Sequence, residues 1–176
     1  MNTLIEQCRK NDRKAQRQLY ELYANHVFRI CLRYVGNEPE AEECVSETFL
    51  KVFSNIGSVV FENEKMLAGW IRKIAVNECL MLLRKRMKFP DTVDYEEADA
   101  IDAGGDILSD IDAGYLFQII QSLPPSYRTI FNLYAIEGYT HPEIAHRLSI
   151  SEGTSKSQLN RAKTWLKEKL KAMNYG

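Results

Sequence analysis

The sequence predicts an all-α protein: two small helical domains joined by an acidic linker. Apolar residues recur at helical spacing along most of the 176-residue chain, and no stretch alternates convincingly as a strand would. Capping residues (Asp12, Asn37, Thr140 and Ser151) stand just ahead of several of these runs. Charge is segregated: residues 1–87 hold 14 Lys and Arg against 11 Asp and Glu, residues 88–112 one against nine, and residues 113–176 eight against four. A net charge of −1 therefore hides two basic blocks around an acidic one. The expected division is 1–88, a linker over 89–112, and 113–176.

The first block reads as four helices. A short one covers about Thr3–Lys10. Asp12 then caps a long helix through Tyr34, with Leu19, Leu22, Tyr23, Val27, Ile30, Cys31 and Tyr34 along its buried stripe and Gly36 at its end. Asn37 and Glu40 form a capping box with Pro39 in the first turn, opening a helix to about Asn55. Its buried positions are Ala41, Cys44 or Val45, Thr48, Phe49, Val52 and Phe53. After a loop at 57–64, residues 65–87 read as a helix that begins apolar and aromatic and ends in Arg84-Lys85-Arg86. Phe89-Pro90 stops it.

Residues 91–112 hold Gly104-Gly105 and too few large apolar side chains to pack, which suits a tether. Beyond them a helix ends near Ser122, Pro124-Pro125 opens another through Ile136, and Gly138 turns the chain. Thr140 and Glu143 then make a second capping box, and Ile144, Ala145 and Leu148 share one apolar face. A short break at Ser149–Ile150 leads to Ser151, which caps a last helix burying Leu159, Ala162 and Leu166. This is the pattern of a helix-turn-helix. The outward face of the last helix carries Lys156, Ser157, Asn160, Arg161 and Lys163, with Thr154 and Gln158 beside them. Short polar groups among cations suit a DNA major groove, where some side chains bind phosphates and others reach base edges.

Several classes are excluded by what the chain lacks. No apolar run approaches the ~20 residues of a membrane span, and the start has no signal-peptide core. A soluble, cytoplasmic protein without membrane insertion is expected. Cys8, Cys31, Cys44 and Cys79 are scattered at apolar helical positions and read as buried thiols, with no metal site. No phosphate-binding glycine loop or nucleophile motif appears, so no enzyme, cofactor or small-molecule substrate is expected.

Taken together, three segments resemble the extracytoplasmic-function (ECF) group of sigma factors in the sigma-70 family. EPEAEECVSETFLKVF (38–53) is similar to the family's polymerase-binding helix. GWIRKIAVNECLMLLRKR (69–86) is similar to its promoter-melting helix, and residues 123–163 to its −35-reading domain. The resemblance implies core RNA polymerase and promoter DNA as partners, together with an anti-sigma factor, which in this family is often membrane-anchored. It assigns Glu40, Glu43, Ser46 and Glu47 to the polymerase surface. Asn77, Lys73, Arg72, Trp70 and Phe61 fall to −10 recognition and melting, with Arg84, Lys85 and Arg86 on the DNA backbone. The −35 contacts are Thr154, Lys156, Ser157, Gln158, Asn160 and Arg161, with Arg128 on a phosphate. The linker would thread the polymerase's RNA-exit path.

The chain departs from the family pattern at Ser46, usually Gln, at Ser155, usually Val, and at Gln158, usually Arg. Residue chemistry supports the −10 assignment independently, because an unstacked base needs an aromatic face and an amide, and a separated strand needs cations. Trp70, between Ala68 and Ile71, is open to a core role as well. The rivals are a conventional regulator, which would dimerise on two half-sites, and an interaction module that never touches DNA.

Overall fold

The computed structural model describes residues 2–86 and 113–173, all of its regular elements helical. The expected linker lies outside the described residues. The chain divides into two compact units, Met1–Lys85 and Arg86–Gly176.

The first unit holds α1 (Asn2–Arg9), α2 (Arg13–Val35), α3 (Glu38–Asn55) and α4 (Glu64–Arg86). Local chemistry sets their ends. The Asp12 carboxylate accepts from the Lys14 and Ala15 N–H groups at 2.8 and 3.0 Å, satisfying donors that the first turn leaves free. Gly36, at φ 82°, turns the chain out of α2 while its N–H bonds back to Leu32. Asn37 caps α3 through the Glu40 N–H, and Asn63 caps α4 through the Met66 N–H. A 3₁₀ turn, Ile56–Ser58, follows α3.

The core of this unit is apolar. Leu19, Val27, Ile30 and Tyr34 of α2 are buried, as are Ala41, Val45, Phe49 and Val52 of α3 and Leu67, Ile71, Val76 and Leu83 of α4. Cys31, Cys44 and Cys79, one from each helix, meet as hydrogen-bonded thiols, and those contacts with burial hold Cys79 well above the usual thiol range. All four cysteines are free and buried, as their apolar positions suggested. Glu78, only 5% exposed, is paired with Lys51 at 2.6 Å, tying α4 to α3. The Tyr23 hydroxyl donates to Glu64 at the start of α4; burial and that carboxylate push the phenol's pKa up. One core expectation is corrected: Leu22 is 62% exposed, just outside the arc of α2 that runs from Ala15 to Val35.

The second unit holds α5 (Ala113–Gln121), α6 (Pro125–Phe131), α7 (His141–Leu148) and α8 (Glu152–Met173). Past α6 the chain widens into a π turn at Asn132–Ile136, closed by the Glu137 N–H donating to the Asn132 carbonyl at 2.9 Å. Gly138, at φ 77°, then reverses direction. The long α8 packs on α5, α6 and α7. Leu159, Ala162 and Leu166 of α8 are buried, as are Ile144 and Leu148 of α7 and Ile130 of α6.

Candidate functional site

Two helices present outward faces whose chemistry suits nucleic acid, one in each unit. On α4 the exposed stripe runs Met66, Lys73, Asn77, Met81 and Arg84, with half-buried Trp70 in line between the first two. The spacing of three and four keeps these residues on one side of the helix. The half-buried Trp70 ring lies 5.3 Å from that of Phe61 in the preceding loop, tilted by 58°. Lys73 and Asn77 are exposed a turn apart beside it, Arg72 is half-buried, and Lys85 and Arg86 are exposed at the helix end. The face thus offers an aromatic pair, an amide and cations in sequence.

The helix-turn-helix is α7–α8. Thr140 and Glu143 satisfy each other reciprocally, with Glu143 Oε2 accepting from the Thr140 N–H and hydroxyl at 2.8 Å. Those contacts hold the Glu143 carboxyl below its usual range. Ser149 occupies the left-handed region at φ 56°, which makes the turn tight, and Ser151 accepts from the Thr154 N–H at 3.0 Å to start α8. Lys156, Asn160 and Arg161 are exposed on α8, with Ser157 and Lys163 half-buried beside them.

Three expected DNA contacts on this unit are corrected. Arg128 is 6% exposed, and its guanidinium donates to the Gln121 carbonyl at 2.8 Å and the Leu123 carbonyl at 3.4 Å. It closes the end of α5 from within the unit instead of facing a phosphate, and burial lowers its pKa from the usual value. Gln158 is 1% exposed, so it reaches neither backbone nor base. Thr154 is buried, with its hydroxyl 2.9 Å from that of Ser151. Polar side chains on the inner arc of α8 are used for packing.

Ser155 shows why. Its hydroxyl lies 2.9 Å from His141 Nδ1, and the His141 ring stacks on Tyr134 at 4.7 Å. A polar contact between α7 and α8 therefore occupies the position where the family pattern has an apolar side chain. Burial lowers the His141 pKa; Lys156 adds to the shift, Glu152 opposes it, and Lys163 adds a smaller lowering effect.

On α3 of the first unit, Glu43, Ser46 and Glu47 are exposed and Glu40 is half-buried. Beside them a groove of about 460 Å³ runs between α2 and α3, lined by Tyr20, Ala24, Phe28, Glu42, Val45 and Ser46. The particular α2 residues that line it, Tyr20, Ala24 and Phe28, were not among the expected site residues, although they stand four apart along one edge of the helix.

Among the described residues, the helix-turn-helix of one unit and the aromatic, basic helix of the other have the make-up of a DNA-binding protein. The sigma-70 region 2 family model matches residues 19–89 and the sigma-70 region 4 model residues 113–166. The ECF RNA polymerase sigma factor SigW of Bacillus subtilis is 30% identical over 181 residues, covering 95% of each chain. The ECF RNA polymerase sigma-E factor of Haemophilus influenzae is 28% identical over 182 residues, covering 97% of this chain and 95% of the relative. Among solved structures, the Bartonella quintana sigma factor RpoE, crystallised with the anti-sigma factor NepR, shares the fold. Its TM-score is 0.50 at 19% identity, covering 88% of this chain and 96% of that one. The chain belongs to the sigma-70 family, in its ECF group: it is a transcription initiation factor that directs RNA polymerase to promoters, not an enzyme.

Proposed function

We propose that the two outward faces divide the promoter between them. The α4 face opens and reads the −10 element, the α8 face reads the −35 element, and the exposed acids of α3 with the α2–α3 groove dock on core polymerase. The observation that carries this reading is the stripe on α4. Trp70 with Phe61 offers a surface on which an unpaired base can stack, Asn77 an amide for its edge, and Lys73 and Arg84 charge for the freed strand. A merely solvated helix would have no reason to expose Met66 and Met81 in the same line.

Within α8, Lys156, Ser157 and Asn160 are the base readers and Arg161 the phosphate contact in this proposal. Arg128, Gln158 and Thr154 are left out because they are buried. Arg72, Lys85 and Arg86 join the DNA-backbone contacts, and Glu40, Glu43, Ser46 and Glu47 the polymerase surface. The same reading places the protein in the cytoplasm, where polymerase and promoter are. It includes an anti-sigma partner by extension from the RpoE–NepR complex. No helix among the described residues is long and apolar enough to cross a membrane.

Permanganate footprinting of holoenzyme on a promoter drawn from a genomic pool tests the central claim. Asn77→Ala is expected to reduce open-complex reactivity by about tenfold, a single base contact's worth, with closed-complex binding nearly unchanged. Normal opening by that variant would remove Asn77 from the melting site.

A further inference from the structure

The loop between α3 and α4 has few anchors of its own. Ile56 is buried, but Val60 is 78% exposed, and a side chain at Gly57 would meet nothing within 4 Å. The Ser58 hydroxyl bonds back to the Asn55 carbonyl within the same turn. The long-range tie comes from the start of the chain. Arg9, the last residue of α1, donates from Nη2 to the Val59 carbonyl at 2.6 Å and from Nε to the Ile56 carbonyl at 3.4 Å. Its Nη1 lies 2.5 Å from Glu6 Oε1, which orients the fork. Ile5 and Cys8 are buried, so the fork is carried on a docked helix.

A guanidinium is planar and holds its donors in fixed directions, so two carbonyls bound at once set the path of the chain between them. That path ends two residues later at Phe61, whose ring lies against Trp70. A lysine would supply a point charge and could not fix both carbonyls together.

We propose that Arg9 is a positioning residue for −10 recognition: it holds the 56–63 loop so that Phe61 and Trp70 stand ready for an unpaired base. This rests on the reading of Phe61, Trp70 and Asn77 given above. Residues near the start of the chain then govern selectivity at a promoter base they never touch.

The test uses holoenzyme assembled from core RNA polymerase and full-length variants, selecting from a promoter pool randomised across both elements. Arg9→Ala is expected to lower discrimination at the captured −10 position from about tenfold toward parity, with Arg9→Lys between it and wild type. Core affinity and −35 preference are expected to hold. Because Arg9 acts through the loop, adding Arg9→Ala to Phe61→Ala should change −10 selectivity no further. Wild-type selectivity in Arg9→Ala, while Phe61→Ala and Asn77→Ala lose theirs, would overturn the inference alone. So would an additive loss in the double variant. Unchanged selectivity in both Phe61→Ala and Asn77→Ala would overturn the underlying reading of the α4 face and this inference with it. Should Arg9→Ala lose its cooperative thermal transition, Arg9→Lys carries the same comparison.

Discussion

The two units differ in what they bury. Among the described residues of the first, the buried polar side chains are Thr48 and Glu78. The second buries Arg128, Thr129, Asn132, Thr154, Ser155 and Gln158. Thr48 simply bonds back to the Cys44 carbonyl in its own helix, and Glu78 has Lys51. The Glu78 pair joins α4 to α3. In the second unit Arg128 reaches the end of α5 and Ser155 reaches His141 on α7, while Thr129 bonds back to the Pro125 carbonyl within α6. The second unit thus places more polar side chains in its interior than the first does. In such a unit a polar residue on a helix is no guide to the surface.

The largest effect that could break this contrast is at Arg128. Replacing it with Ala leaves the Gln121 and Leu123 carbonyls without their charged donor and should cost about 3 kcal/mol. In thermal unfolding followed by circular dichroism, the second unit should melt lower by on the order of 10 °C or more. A surface phosphate contact would behave otherwise: stability would hold, and the salt dependence of DNA binding would flatten by about one unit of slope. A variant that melts like wild type and loses salt dependence would return Arg128 to the DNA.

Gln158 should respond with the opposite sign. Its Oε1 is buried with no hydrogen-bond partner among the described residues, so the folded state carries an uncompensated desolvation cost. Gln158→Leu fills a similar volume and is expected to be neutral or to stabilise by about 1 kcal/mol, since a buried polar atom without a partner is removed. Denaturant midpoints would register the gain, and −35 preference should not change. Altered −35 preference at equal stability would mean that the side chain reaches the groove.

The smallest effect concerns pH. His141 has a folded pKa below its ordinary value of 6.5, so below that pH the unfolded chain binds more protons than the folded one. Stability of the second unit is therefore complete above about pH 6.5 and declines as pH falls toward the folded pKa, levelling off beneath it. Unfolding midpoints measured at pH steps from 7.5 to 5 should show the decline in wild type and a shallower one in His141→Gln. Equal slopes would mean that His141 does not carry the dependence.

The parts of this protein legible from its residues are those set by neighbours in sequence. Caps at Asp12, Asn37, Thr140 and Ser151 each bond to a residue two or three positions on, so helix starts could be read within a residue or so, as could the buried faces of α7 and α8. What could not be read depends on distant partners. Leu22 is apolar, yet it lies beyond the arc its neighbours cover. Arg128 and Gln158 look like groove residues until α5, α6 and α7 close around them. The bond from Arg9 to Val59 spans 50 positions, and no local pattern announces it. The family resemblance correctly indicated an initiation factor that directs RNA polymerase to promoters. It misdirected Arg128, Thr154 and Gln158, whose polar side chains are buried within the second unit.

The wide turn at Asn132–Ile136 sets the direction in which the chain leaves α6. A turn closed by a five-residue step holds one residue more than an α-helical one. Deleting one of its residues would restore an ordinary helical turn, yet Gly138 and Thr140 would arrive about 100° out of phase. The helix-turn-helix would then leave from a different azimuth. Along this stretch the length of the chain is as constrained as its letters.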